Sequence, residues 1–149
     1  MANYKKVLLA VDLASNSEHI IEKALQVVQD NGAELLLVHV NEPVVTAYHA
    51  GGMAGWSTQI VSLDEQIRKI AEEKMEALAT RLGVPADNCF LPYGRASAEI
   101  RRVAEDQDVD LIVMGTHGRH GLGLMLGSTA NAVLHGVSCD VLAVRARDT

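Results

Sequence analysis

The chain has 149 residues, enough for one domain spanning 1–149 with a single core. Apolar residues make up 48%, and only Tyr4, Tyr48, Trp56, Phe90 and Tyr93 are aromatic, so the core is expected to be aliphatic. With 13 Lys and Arg against 19 Asp and Glu, the net charge is −6, which disfavours a broad electrostatic grip on nucleic acid.

No apolar run approaches the ~20 residues needed to cross a bilayer, so no membrane partner is expected. Met1-Ala2-Asn3-Tyr4-Lys5-Lys6 leads into only five apolar residues before Asp12, too few for a secretory signal. Cys89 and Cys139 have no CxxC spacing and read as reduced, buried thiols. A cytoplasmic location is therefore expected.

The elements follow in chain order. Val7-Leu8-Leu9-Ala10-Val11 is a continuous apolar run, the pattern of a strand covered on both faces. After Asp12, Ser15 and Glu18 have capping-box spacing. Ile20, Ile21, Ala24, Leu25, Val27 and Val28 then trace a helical face, and Gly32 stands where a left-handed cap belongs. Residues 35–40 form a second strand ending in His39 and Val40. Residues 41–62, with Gly51, Gly52 and Gly55, read as a long connection.

Ser62 and Glu65 give a second capping-box spacing. Leu63, Ile67, Ile70, Ala71, Met75, Leu78 and Leu82 predict an amphipathic helix with these residues inward, closed by Gly83 and Pro85. Residues 89–93 form a weak strand whose Pro92 suits a sheet edge. A helix over 97–107 turns Ala98, Ile100, Val103 and Ala104 inward. A strong strand covers 110–114. A helix at 128–135 and a strand at 141–144 complete the chain. Alternating strands and helices predict a parallel α/β sheet with helices on both faces. Ligands of such sheets bind beyond the carboxyl ends of strands, where the strand order reverses.

Twelve residues are glycine, and five of them, Gly115, Gly118, Gly121, Gly123 and Gly127, fall within thirteen positions. Residues 111–139 contain no Asp or Glu but hold His117, Arg119, His120 and His135. Such a loop lets backbone N–H groups approach a phosphate. Ser128 and Thr129 open the next helix, whose dipole and free N–H groups favour an anion. The alternative at this level is a flexible strand-to-helix connection with Ser128 as its N-cap. Neither G-x-x-x-x-G-K-[ST] nor G-x-G-x-x-G occurs.

Five segments together resemble the universal stress protein family over essentially the full length. They are Lys6 to Asp12, Leu37 to Val40, Asp108 to Arg119, Gly127-Ser128 and Asp140 to Arg145. Asp108-Val109-Asp110-Leu111-Ile112-Val113-Met114-Gly115-Thr116-His117-Gly118-Arg119 is the most telling block. The resemblance implies a five-stranded parallel sheet of order 3-2-1-4-5, Rossmann-like and related to the adenine nucleotide alpha hydrolases, and a homodimer through the C-terminal edge strand.

One branch of that family binds ATP through Gly, two residues, Gly, nine residues, Gly and then Ser or Thr. This chain has Gly115-x2-Gly118 and Gly127-Ser128, with eight residues between Gly118 and Gly127. The resemblance implies that Ala10, Val11 and Val40 line adenine, the backbone of Val40 facing the base. It also implies that Asp12 accepts the ribose hydroxyls and that Met114 and Gly115 flank the sugar. Gly118, Gly127, Ser128 and Thr129 hold the phosphates. The expected ligand is ATP, or AMP or ADP, with Mg²⁺ as a companion, in a regulatory or sensing module.

Two other functions stand beside this one: a non-nucleotide stress protein working through protein contacts, and a slow ATP hydrolase or phosphotransferase. The last lacks a lysine, an acidic pair for Mg²⁺ and a general base beside the loop, so no catalytic residue is assigned. The HxxH spacing of His117 and His120 has no nearby acid or Cys to complete a metal set, so no metal ligand is assigned. A phosphoacceptor role for Asp12 would want an acidic pair, and Val11 and Leu13 flank it instead. His39 reads as a strand-end histidine with a local partner, Arg95 as a solvated loop arginine, and Met75 and Met125 as core residues. Trp56 is left between covering a nucleotide, packing at a dimer contact and simple exposure.

Overall fold

The computed structural model of the chain describes residues 3–13, 18–43, 54–116 and 127–145, with backbone only for 54–60. Five strands, β1 (Lys6–Ala10), β2 (Glu34–Val38), β3 (Cys89–Phe90), β4 (Leu111–Gly115) and β5 (Asp140–Val144), form one parallel sheet in the order β3-β2-β1-β4-β5. Its helices are α1 (Glu18–Asn31), α2 (Ala54–Leu82), α3 (Ala96–Asp106) and α4 (Ser128–Gly136), with a 3₁₀ turn at Ala86–Asn88.

The continuous apolar runs sort by the period of two that a strand imposes. Val7, Leu9, Leu35, Leu37, Leu111 and Val113 face one layer, where Ile20, Ile21 and Ala24 of α1 and Met75 and Ala79 of α2 meet them. Leu8, Leu36, Val38, Ile112 and Met114 face the other, against Ile100, Val103 and Ala104 of α3 and Ala130 and Val133 of α4. Both faces are thus aliphatic and covered, which is why these strands carry no polar alternation.

Gly32 and Gly83 end α1 and α2 at φ +62° and +71°. Beyond each, the chain folds back: Ala33 N–H donates to Val28 O, and Val84 N–H to Ala79 O. This is the closing bond of a left-handed helix cap.

Several expectations need correction. Helix α2 begins at Ala54, so Ser62 lies inside it and is no N-cap; the glycine-bearing start of the connection had concealed a helical segment. Of the residues expected inward, Ala71 and Met75 are buried, but Leu63, Ile67 and Ile70 are 45%, 41% and 51% exposed. Asp64, one residue after Leu63, is buried at 8% exposure, so this segment is covered on one side and the three apolar residues are turned away from that side. The thiols of Cys89 and Cys139 are half-buried, not buried, and desolvation raises both above the ordinary thiol value. Ser15 of the first capping-box spacing and Met125 lie outside the described residues.

Candidate functional site

The first three strands run outward in the order β1, β2, β3, and the chain then returns to place β4 on the other side of β1. The carboxyl ends of β1 and β4 therefore flank the point where strand order reverses, the location at which open α/β sheets bind ligands. Ala10 ends β1 there, Val11 and Asp12 follow it, and Met114 and Gly115 end β4.

The turn after β1 is held from two sides. His39 Nδ1 lies 2.9 Å from Val11 O, a hydrogen bond when that nitrogen carries its proton. Leu13 N–H, 3.5 Å from the same nitrogen, is then a neighbour without a bond. Lys74 Nζ of α2 donates to Leu13 O at 3.3 Å. These contacts fix the backbone on both sides of the half-buried Asp12. His39 has the local partner expected of it. Lys74 carried no signal in the sequence, since it reads as one charge among many on α2.

Among the described residues, the backbone N–H and C=O of Val40 have no partner. Val11 N–H donates to Val38 O, whereas His39 N–H and Asn41 N–H donate to Phe90 O and Pro92 O across the other side. Backbone groups of successive residues alternate between neighbours in a ladder. The N–H and C=O of Val40 therefore face the β1 side, past the point where β1 has turned away. Ala10 and Val40 are half-buried beside the layer containing the buried Met114, forming an apolar floor under that edge.

At the β4 end, Thr116 N–H donates to Val144 O at 2.9 Å and Gly127 N–H donates to Thr116 O at 2.6 Å. The second bond pins the start of α4 to the end of β4. Gly127 is the N-cap, with φ −62° and ψ 154°, and has no side chain of its own to cap the helix. Any residue can adopt that φ, so left-handed strain does not explain the glycine. Ser128 is exposed and Thr129 half-buried at the first turn, where unbonded N–H groups and the helix dipole offer positive potential.

Ala10, Val11, Asp12, Val40, Met114, Gly115, Gly127, Ser128 and Thr129 thus stand at one end of the sheet. Gly118, with Gly121, Gly123, His117, Arg119 and His120, lies outside the described residues, as does the Trp56 side chain. Arg95 is exposed at the N-cap of α3. A separate cleft of about 300 Å³ lies between β3 and α3, walled by Phe90, Pro92 and Val103. Its Arg102 is already tied to Glu99 and Asp106, and it shares no residue with the switch-point site.

A profile described as "Universal stress protein family" matches residues 3–145. The chain belongs to the universal stress protein family. Universal stress protein A homolog 2 of Coxiella burnetii is 40% identical over 146 residues, covering 97% of each chain. Universal stress protein UspA from Lactobacillus plantarum superposes with a TM-score of 0.79 at 24% identity, covering 97% of this chain and 100% of that one. A universal stress protein in complex with cAMP superposes with a TM-score of 0.58 at 19% identity, covering 96% and 98%. These two structural likenesses speak to the fold.

Proposed function

We propose that the chain binds an adenine nucleotide, ATP or its AMP and ADP relatives, as a regulatory or sensing module in the cytoplasm. The observation that carries this reading is the pairing of two unlike backbone surfaces across the switch point. The unpaired edge of Val40 offers one donor and one acceptor side by side, the complement of an adenine amine and its neighbouring ring nitrogen. The uncapped start of α4 offers N–H groups to phosphate. Asp12 lies between them, where a carboxylate suits a ribose diol. Ala10, Val11 and Met114 supply an aliphatic floor in a chain that offers few aromatic rings for stacking. Gly115 flanks the sugar, and Gly118, Gly127, Ser128 and Thr129 hold the phosphates. Mg²⁺ would accompany the triphosphate and offset its charge. The cAMP-bound relative supports this reading in that its fold accommodates an adenine nucleotide.

We also propose a homodimer joined through β5. Among the described residues that strand ends the sheet with one edge unpaired, the geometry that invites a second copy. A second function, stress signalling through protein contacts without nucleotide, draws on the exposed Leu63, Ile67 and Ile70 of α2.

Mass spectrometry of the supernatant from denatured protein, followed by calorimetric titration with ATP, separates the two functions. Released adenine nucleotide or saturable heat supports the first. Neither signal rejects it.

A further inference from the structure

The N-terminal half of α2 is held unlike the rest of that helix. From Ala71 onward the helix is seated by buried apolar side chains, Ala71, Met75 and Ala79. Before Ala71, Leu63, Ile67 and Ile70 are exposed, and Asp64 is the buried residue of the described segment, at 8% exposure. Its carboxylate accepts a hydrogen bond from the Tyr93 hydroxyl. One turn further, the Arg68 guanidinium stands 4.7 Å from the centre of the Tyr93 ring, a cation–π contact. Tyr93 thus meets side chains from two successive turns of α2.

Tyr93 also lies against the strand end that carries the base-facing edge. It is the parallel bridge partner of Asn41, so their side chains share a face. Its neighbours clamp the Asn41 backbone: Pro92 O accepts from Asn41 N–H at 2.9 Å, and Gly94 N–H donates to Asn41 O at 3.0 Å. Asn41 directly follows Val40. Its side-chain oxygen Oδ1 is buried with no hydrogen-bond partner among the described residues.

We propose that Tyr93 is a positioning residue for the nucleotide site: latched by Asp64 and Arg68 of α2, it fixes the Pro92–Gly94 segment, which sets where Val40 offers its N–H and C=O to the base. This role rests on the adenine-nucleotide reading above and adds its control from α2. An open latch loosens the base subsite while leaving the phosphate subsite on α4 as it was.

The test is Tyr93→Phe, which keeps the ring under Arg68 and removes only the hydroxyl. Dissociation of ATP and of ribose 5-triphosphate, which has no base, is measured by surface plasmon resonance. Hydrogen exchange is followed along α2. Loss of one such bond predicts ATP leaving about threefold to tenfold faster, with an unchanged association rate. Ribose 5-triphosphate dissociation stays at its wild-type value. Amides of 61–70 exchange faster, and those of 71–82 do not. Equal changes for both ligands, or unaltered exchange over 61–70, would overturn the latch while leaving the nucleotide reading intact. A wild-type protein that binds neither ligand overturns that reading and this role with it. Should Tyr93→Phe fail to fold, Arg68→Met removes only the cation over the ring and carries the same test at smaller amplitude.

Discussion

Helix α2 carries two apolar stripes, and only one of them meets the sheet. The contrast can be measured with two truncations on one helix, Met75→Ala and Ile70→Ala. Met75 is 2% exposed among Ile20, Ile21, Ala24 and Leu37, so its truncation removes a fully buried side chain and leaves a cavity. Losses of this kind run from about 2 to 5 kcal/mol, and about 3 kcal/mol is expected here. In a chain of this length that lowers Tm by about 6–12 °C. Ile70 is 51% exposed. Its truncation forfeits about half a transfer term, opens no cavity and gains helix propensity, for a net loss below about 1 kcal/mol. Urea denaturation followed by circular dichroism reads both values on the same scale. Equal losses for the two variants would refute the assignment of Ile70 to the exposed stripe.

Three further outcomes follow from named contacts. Asp12→Ala removes the carboxylate proposed for the ribose and should weaken ATP binding at least tenfold in calorimetry; an unchanged affinity would remove Asp12 from the site. Asp110 accepts the Lys5 and Lys6 backbone N–H groups at 2.8 and 2.9 Å. The Lys6 bond first and the Lys5 bond second hold its carboxyl below the ordinary value of 3.8. Its stabilisation is therefore complete above that value and lost as pH falls through the lower folded one. The stability gap between wild type and Asp110→Asn should be constant near neutrality and shrink below pH 3.8; a gap independent of pH would contradict the assignment. The free edge of β5 predicts a light-scattering mass of twice the 16.0 kDa chain at micromolar concentration, and a monomer would contradict the dimer.

Much of the fold is legible because several local signals agree. The uninterrupted apolar runs of β1, β2 and β4 announce strands covered on both sides, and Gly32 and Gly83 mark two helix ends by the positive φ they adopt. The Pro92 segment belongs at an edge, since proline has no N–H to give a second neighbour. The start of α2 was hidden because Ala54 and Gly55 follow two further glycines, while Ser62 imitates an N-cap. Its inward face is ambiguous in the sequence because Leu63, Ile67 and Ile70 keep helical spacing just as Ala71 and Met75 do. Periodicity identifies apolar stripes but cannot say which of them meets the sheet. In the site, Asp12 and the Gly127-Ser128 junction stand out by residue type and position. The roles of Lys74 and Tyr93 arise from tertiary contacts between distant segments, and nothing local to either residue signals them.

The central claim is that one nucleotide spans the Val40 edge and the start of α4. Amide chemical shifts of isotope-labelled protein during ATP titration test this most directly. The account predicts that Val40, Ser128 and Thr129 shift together along one saturation curve, while amides at the opposite end of the sheet, such as Lys6 and Val141, stay in place. Saturable ATP binding that leaves Val40 and Ser128 unmoved would contradict it.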